Sequence, residues 1–486
     1  MEEQVLRPPA GAGTGAGTGA GTGDTTGDAV AAEVARVRSA FEAGVTRPLA
    51  WREEQLRALR RLLVEHAGEL EAALASDLGK HPVEAQLTEI AFVVGEVDHA
   101  LRHLRRWLAP APVPVPLVLR PARAQVVRDP LGVVLVIAPW NYPLQLLLAP
   151  LVGVLAGGNA AVLKPSELAR ATSAAVARLL PRHLDARAVA VVEGGREPAE
   201  ALLRQRFDHV FFTGGAQVAR VVARAAAEHL TPVTLELGGK SPTYVDGTTD
   251  LPAAARRIAW GKFLNAGQTC VAPDYVLATP DVADRLGPAL ADAVRDLYGP
   301  DPATSDDYGR IVSDAHLARL EALLGSGRAV TGGQVRREER YLAPTVLADV
   351  DPDSPVMQEE VFGPVLPIVR VPDLDAAIAF VNARPKPLAL YAFTESRTAR
   401  RRLLEETSSG AVGFGVPAAH LSVPGLPFGG VGESGTGAYH GEHSIAIFTH
   451  AKAVLAKDLT PDTLRLLQPP YRGVRNALLR RLLPRR

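Results

Sequence analysis

Cys270 is the only cysteine in 486 residues and lies in Asn265-Ala-Gly-Gln-Thr-Cys-Val-Ala-Pro-Asp-Tyr275. One thiol can make no intramolecular disulfide and no cysteine metal cluster. A structural cysteine usually sits inside an apolar run. This one follows a Gly-Gln-Thr break of the kind that presents a side chain at a turn. Placement alone leaves two readings open, a small buried hydrophobe or a nucleophile. Upstream, Leu235-Glu-Leu-Gly-Gly239 sets Glu236 among apolar residues at the end of a strand-like run. A buried glutamate has a raised pKa and can serve as a general base near neutrality. The bland alternative is an ion pair with Lys240. In Ala138-Pro-Trp-Asn-Tyr-Pro143 two prolines flank Asn141. That amide is either a turn residue or a donor at the carboxyl end of a strand, where ligands of open α/β sheets gather.

Three further segments break the texture of their surroundings. Phe211-Phe-Thr-Gly-Gly215 joins a strand to a helix, and its glycines allow close backbone approach to a phosphate at the helix N-terminus. It is not the G-x-G-x-x-G fingerprint. Lys164-Pro-Ser-Glu167 follows another strand and opens a helix, with Ser166 as the expected N-cap and with charges suited to ribose hydroxyls or simply to solvent. Glu359-Glu-Val-Phe-Gly-Pro364 places acids ahead of a turn. No one of these decides a function. Together a thiol, an amide donor, a carboxylate and a phosphate-approach loop suit thiol-mediated oxidation of a carbonyl with a dinucleotide.

The elements that must position these groups are legible as periodicity. Short apolar runs begin near Val133, Ala160, Ala188, His209 and Val233, with helix-compatible stretches such as Leu168 to Leu180 and Ala216 to Leu230 between them. Strands alternating with helices at this spacing read as a parallel sheet with crossover helices. Before them, Val30, Val34, Val37 and Phe41, then Leu56, Leu59 and Leu63, recur at helical spacing. Pro110 to Pro116 reads as a linker into an extended stretch, Leu117 to Val127. Ile445 to Phe448 and Ala453 to Leu455 are strand candidates. The Gly-Ala-Gly-Thr repeats near the start cannot bury apolar surface and predict a disordered tail. The 53 basic residues match 53 acidic ones, which points away from nucleic acid. The apolar stretch around Leu144 to Leu155 is too broken by proline for a membrane span, and the N-terminus lacks a signal-peptide layout, so a cytoplasmic location is expected. The basic Tyr471 to Arg486 segment reads as a solvated terminal helix.

On Ala138-Pro-Trp-Asn-Tyr-Pro143, Lys164-Pro-Ser-Glu167, Phe212-Thr-Gly214, Leu235-Glu-Leu-Gly-Gly-Lys240, Gly267-Gln-Thr-Cys270 and Glu359-Glu-Val-Phe-Gly-Pro364, in that order, the chain resembles the aldehyde dehydrogenases from Val37 to about Tyr471. Phe41-Glu-Ala-Gly-Val-Thr-Arg-Pro-Leu49, Cys270-Val-Ala-Pro-Asp-Tyr275, Pro427-Phe-Gly-Gly-Val-Gly-Glu-Ser-Gly435 and Gly437-Ala-Tyr-His-Gly-Glu-His443 are similar to the class 3 and fatty aldehyde branch. The resemblance implies an α/β fold. A Rossmann-like dinucleotide-binding domain (residues 29–109 and 132–234) would join an α/β catalytic domain (235–435) and small oligomerisation strands (110–131 and 436–460). A disordered tail (1–28) and a basic tail (461–486) would flank them.

It also implies roles. Cys270 would be the nucleophile, Asn141 with the Cys270 amide the oxyanion donors, and Glu236 the base that hydrolyses a thioester. Lys164 and Glu167 would contact the adenosine ribose. Gly214 and Val218 would flank the pyrophosphate and adenine, Glu360 helped by Phe362 would position the nicotinamide ribose, and Gly215 and Gly238 would also bind the cofactor. No metal is called for. Glu167 favours a free 2′-hydroxyl, so NAD is expected with NADP accepted. The substrate would be a medium- or long-chain aliphatic or an aromatic aldehyde, and the oligomer a homodimer. Related enzymes that pass the acyl group to coenzyme A lack the base carboxylate, so Glu236 argues against that alternative. A catalytically silent protein on the same scaffold would have lost Cys270, Glu236 or Asn141.

Overall fold

The computed structural model describes residues 25–470. The expected disordered repeats up to residue 24 and the expected helix from Tyr471 to Arg486 lie outside the described residues. Residues 25–28, assigned above to the disordered tail, instead open the helix Thr25–Glu42. Asp28 in its first turn complements the exposed backbone N–H groups there, and Val30, Val34 and Val37 bury one face against the first sheet.

That sheet has six strands in the order Gly435–Thr436, Val233–Glu236, His209–Thr213, Val133–Ile137, Ala160–Lys164, Val189–Val191. All but Gly435–Thr436 run parallel. Chain order reverses at Val133–Ile137: two later strands add on one side, and on the other two later parallel strands followed by the antiparallel Gly435–Thr436. The crevice beyond the carboxyl ends of the Val133 and His209 strands is therefore the switch point where such sheets take ligands. Every residue of the following helix, Gln145–Gly157, is buried, which explains why its sequence is apolar without periodicity. A Cβ on Gly153 would lie 2.6 Å from Ser444 Cβ and 2.9 Å from the Phe448 ring, so glycine is what lets the C-terminal region pack there.

A second sheet of seven strands lies in the order Arg328–Thr331, Thr345–Ala348, Val365–Arg370, Tyr275–Ala278, Pro242–Val245, Ala389–Phe393, Ala411–Phe414. Only its first strand is antiparallel to its neighbour. Helices Leu251–Phe263 and Pro280–Tyr298 pack against each other and enclose a separate apolar core with it. A third sheet joins Ala111–Val113, Arg123–Pro130 and Thr449–Ala456, and the last is an exposed edge paired to Arg123–Pro130 along its length.

Three local expectations change. Ala111–Val113, inside the expected Pro110 to Pro116 linker, is a strand, held by antiparallel pairing with Arg123–Pro130. Leu117–Leu119 is a 3₁₀ turn rather than part of a strand, bounded by Pro116 and Pro121, which have no N–H for a ladder. Ile445 lies in the helix Gly441–Ile447, where the His440 N–H donates to Ser444 Oγ at 3.0 Å. At helical spacing Ile445 and Phe448 share one face, and both bury it in the core that includes Gln145–Gly157. No helix among the described residues is long and apolar enough to cross a membrane.

Candidate active site

The helix Leu251–Phe263 ends at a run of left-handed residues: Asn265 (φ 52°), Ala266 (φ 51°) and Gly267 (φ 75°). For a non-glycine residue this conformation costs about 1–2 kcal/mol, so something must hold it. Asn265 Nδ2 donates to the carbonyl of Asn141 at 2.8 Å. Gln268 Nε2 donates to the carbonyls of Asn265 and Arg310, both at 3.0 Å, while its Oε1 accepts from Val312 N at 2.9 Å. A Cβ on Gly267 would meet Gly363 O at 2.3 Å, which demands glycine. The Gly-Gln-Thr break is thus a locked turn, and it leaves Cys270 half-buried on the wall of a cleft of about 860 Å³.

Asn141 stands opposite, in the turn after the Val133 strand. Its Nδ2 donates to Gln268 O at 3.0 Å, which engages one N–H and leaves the second for a ligand. Its own carbonyl is fixed twice, by Asn265 and by Lys80 Nζ at 3.1 Å. Lys80 is fully buried and paired with the equally buried Glu89, whose other oxygen accepts from Leu144 N (2.8 Å) and Gln145 N (3.2 Å). This pair therefore holds both the Asn141 turn and the start of the core helix. Sequence reasoning missed it. The only local signal is a lysine directly after Gly79, the left-handed cap of the helix Ala67–Leu78.

Glu236 terminates the Val233 strand and is 2% exposed. Neither carboxylate oxygen has a hydrogen-bond partner among the described residues. Burial raises its pKa well above the ordinary carboxylate range. The bland reading fails here, because Lys240 pairs with Asp274 and donates to the carbonyls of Val356 and Glu359, each at 2.8 Å. Glu360 Oε2 lies 2.0 Å from where a Cβ on Gly238 would stand, so glycine there makes room for a carboxylate. Burial, and then the charge of Asp274, push Glu360 up to about 8. The Cys270 thiol is also pushed up, by burial first and then by Glu360 and Glu236. Lys262, fully buried with no hydrogen-bond partner for its ammonium among the described residues, is drawn down to about 8 by burial. Sequence reasoning did not single it out.

The cleft brings together Asn141, Gly214, Gly215, Glu236, Gly238, Cys270, Glu360 and Phe362. Gly215 caps the N-terminus of the helix Ala216–Ala227, with open space around the site of a Cβ. Phe362, at φ 46°, sets its ring edge-on to Trp140 with centroids 5.4 Å apart. Lys164, Glu167 and Val218 do not line the cleft. Lys164 ends the neighbouring strand and is almost wholly buried, with Nζ 2.7 Å from Pro165 O and 3.6 Å from Glu167 Oε2. Its pKa is lowered by burial against the opposing charges of Glu167 and Glu193. Glu193, not foreseen, is tethered by Ser173 Oγ at 2.9 Å. Val218 is half-buried and packs on the apolar face under its helix. Ser166 is not the N-cap of the helix Arg170–His183. Asp77 takes that role from another helix, accepting from Ala171 N at 3.0 Å and Thr172 N at 2.8 Å.

Comparison with known proteins agrees with this fold. Residues 16–454 match the model of the aldehyde dehydrogenase family. The chain is 49% identical over 440 residues to human aldehyde dehydrogenase family 3 member B1, spanning 90% of this chain and 94% of that one. It is 47% identical over 430 residues to the rat protein named aldehyde dehydrogenase, dimeric NADP-preferring, spanning 88% and 95%. Among solved structures, the substrate-bound state of Staphylococcus aureus AldH superposes with a TM-score of 0.91 at 42% identity, spanning 93% of this chain and 99% of that one.

Proposed function

The chain belongs to the aldehyde dehydrogenase family, whose members oxidise aldehydes to carboxylic acids with NAD(P), and from that premise we propose the part each residue plays here. Cys270, half-buried on the wall of the cleft, attacks the aldehyde carbon as the thiolate. Burial and the carboxylates of Glu360 and Glu236 oppose that ionisation, so its proton would leave to cleft water once a positive charge sits beside the sulfur. The new C–S bond leaves a thiohemiacetal oxyanion. The free N–H of Asn141 and the backbone N–H of Cys270 stabilise it, and loss of one such donor costs about 3 kcal/mol of barrier.

The residues present fit a dinucleotide. Free N–H groups at the helix start beside Gly214 and Gly215 suit a pyrophosphate, and the gap at Gly238 admits Glu360 toward a ribose. Phe362 would flank the nicotinamide end, and Lys164, Glu167 and Val218 would serve the adenosine end. When bound, the nicotinamide supplies the hydride acceptor and a positive charge that favours the thiolate. The two-electron oxidation turns the thiohemiacetal into a Cys270 thioester. Glu236 then takes a proton from water, the hydroxide adds to the thioester, and the C–S bond breaks to give the carboxylic acid and the thiol. The observation that carries this reading is a thiol, an amide donor and an unpartnered carboxylate on one cleft.

Glu167 with Glu193 supports a preference for NAD over NADP, since two carboxylates near Lys164 repel a 2′-phosphate. Trp140, Leu146 and Met357 on the cleft support apolar aldehydes, medium- or long-chain aliphatic or aromatic. The exposed edge of Thr449–Ala456, with exposed Leu455 and Val113, supports a homodimer. A thiol that must stay reduced supports a cytoplasmic location. Product analysis with aldehydes from acetaldehyde to hexadecanal and benzaldehyde, with either cofactor and with or without coenzyme A, tests the reading. Coenzyme A-dependent release of an acyl thioester in place of acid would overturn it.

A further inference from the structure

The carboxyl ends of two neighbouring helices, Leu49–Glu65 and Arg170–His183, meet at a cluster that plays no part in the reaction. His66 Nε2 and His183 Nε2 are 3.1 Å apart, with the rings edge-to-face at 86° and centroids 5.1 Å apart. A carboxylate oxygen of Glu65 and one nitrogen of each ring all lie within 4.8 Å of one another. Both imidazoles are half-buried and Glu65 is exposed, so an ion could reach the cluster from solvent.

Zinc–nitrogen bonds of about 2.0–2.1 Å in a tetrahedral site put two ligating nitrogens about 3.3–3.4 Å apart. The two Nε2 atoms are already close to that separation. On the far side of His66, Nδ1 is 3.6 Å from Glu69 Oε2, and Glu69 is itself paired with Arg178. A carboxylate behind a ligating histidine is the arrangement that fixes its ring and tautomer at metal centres. Both helices direct their negative dipole ends here, which favours a cation, while the helix Ala67–Leu78 starts at His66 and opposes it with its positive end. Arg61 and Arg182 oppose a cation from the rim.

We propose that Glu65, His66 and His183 form a site for a divalent transition metal, with zinc held by two imidazoles, one carboxylate and a water, tying the two helices together outside the catalytic cleft. Binding displaces whatever proton the two Nε2 atoms share and forms two Zn–N bonds and one Zn–O bond, with no redox change. The test uses full-length, untagged Cys270→Ala protein, so that the thiol is not a competing ligand. Zinc chloride is titrated by calorimetry and melting temperature is followed alongside. One zinc per chain is expected, raising the melting temperature. His66→Ala/His183→Ala in the same background should lose that site and the melting shift. Glu69→Gln should weaken binding by about 10- to 100-fold, as removal of an outer carboxylate does. The metal-free melting temperature of each variant verifies its fold, and Glu65→Gln, exposed and mild, provides a second test should the double variant not fold. Zinc binding unchanged in the folded double variant or in Glu65→Gln, or no zinc taken up by the parent, would overturn the proposal.

Discussion

Glu236→Gln should move activity and stability in opposite directions. The carboxylate has no hydrogen-bond partner among the described residues, so the amide replaces it at the same volume without breaking a contact. Burial holds its folded-state pKa well above 4.5, so between the two values the folded state binds a proton that the unfolded chain has released. Stability from this group is full below about the unfolded value and is lost as pH rises toward the folded one. Glutamine removes that loss. A buried carboxyl left without partners costs about 1–3 kcal/mol, so the variant should melt at or above the wild-type temperature at pH 8 and match it more closely at pH 5. Catalysis should fall. A positioned general base contributes about 10²–10⁴-fold, and its loss should appear in thioester hydrolysis rather than in hydride transfer. Stopped-flow absorbance at 340 nm should show a burst of about one reduced cofactor per active site, then steady turnover slower by that factor. Burst and steady phases falling together would refute the assignment, and a variant that melts far below wild type would refute the account of an unpartnered carboxylate.

Asn141→Ala should lower kcat/KM by about 10²–10³, the effect of one oxyanion donor, with dinucleotide affinity unchanged; equilibrium fluorescence titration separates the two, and a loss confined to cofactor affinity would count against it. Lys80→Met strands Glu89 as a buried charge and should destabilise by about 3–5 kcal/mol in urea unfolding; a change below 1 kcal/mol would mean the pair is not what fixes the core helix. Glu360, pushed up to about 8, contributes stability that is full below about 4.5 and is lost as pH rises through 8. Glu360→Gln should therefore flatten the decline of melting temperature between pH 5 and 8.5, and parallel profiles would contradict that. Glu167→Gln should raise kcat/KM for NADP relative to NAD, measured as a ratio, because a negative charge near a 2′-phosphate is removed; an unchanged ratio would shift the preference to Glu193 or elsewhere.

The parallel sheet was legible because its strands are buried on both faces and so read as apolar runs at regular intervals. The cleft segments were legible because they break those runs: prolines around Asn141, glycines at 214 and 215, a lone carboxylate at 236. Features fixed by long-range contacts were not legible. Lys80 and Glu89 look like surface charges until the fold buries them against Asn141 and Leu144. Asp77 caps a helix that starts far along the chain, and nothing near Ser166 announces that its own hydroxyl is displaced. Ile445 to Phe448 carries an apolar run compatible with either period, and packing on Gly153 selects the helix. The left-handed turn at Asn265 and Ala266 is likewise hidden, since the bonds that hold it come from Asn141, Arg310 and Val312.

The central claim is that the acyl group passes through Cys270. Wild-type and Glu236→Gln protein, mixed with an aldehyde and NAD and quenched in acid within the burst, should gain the mass of one acyl group less a hydrogen. Peptide mapping should place it on the segment containing Cys270, more abundant in the variant. A full hydride burst with no acyl adduct in either protein, or an adduct on another residue, would contradict the account.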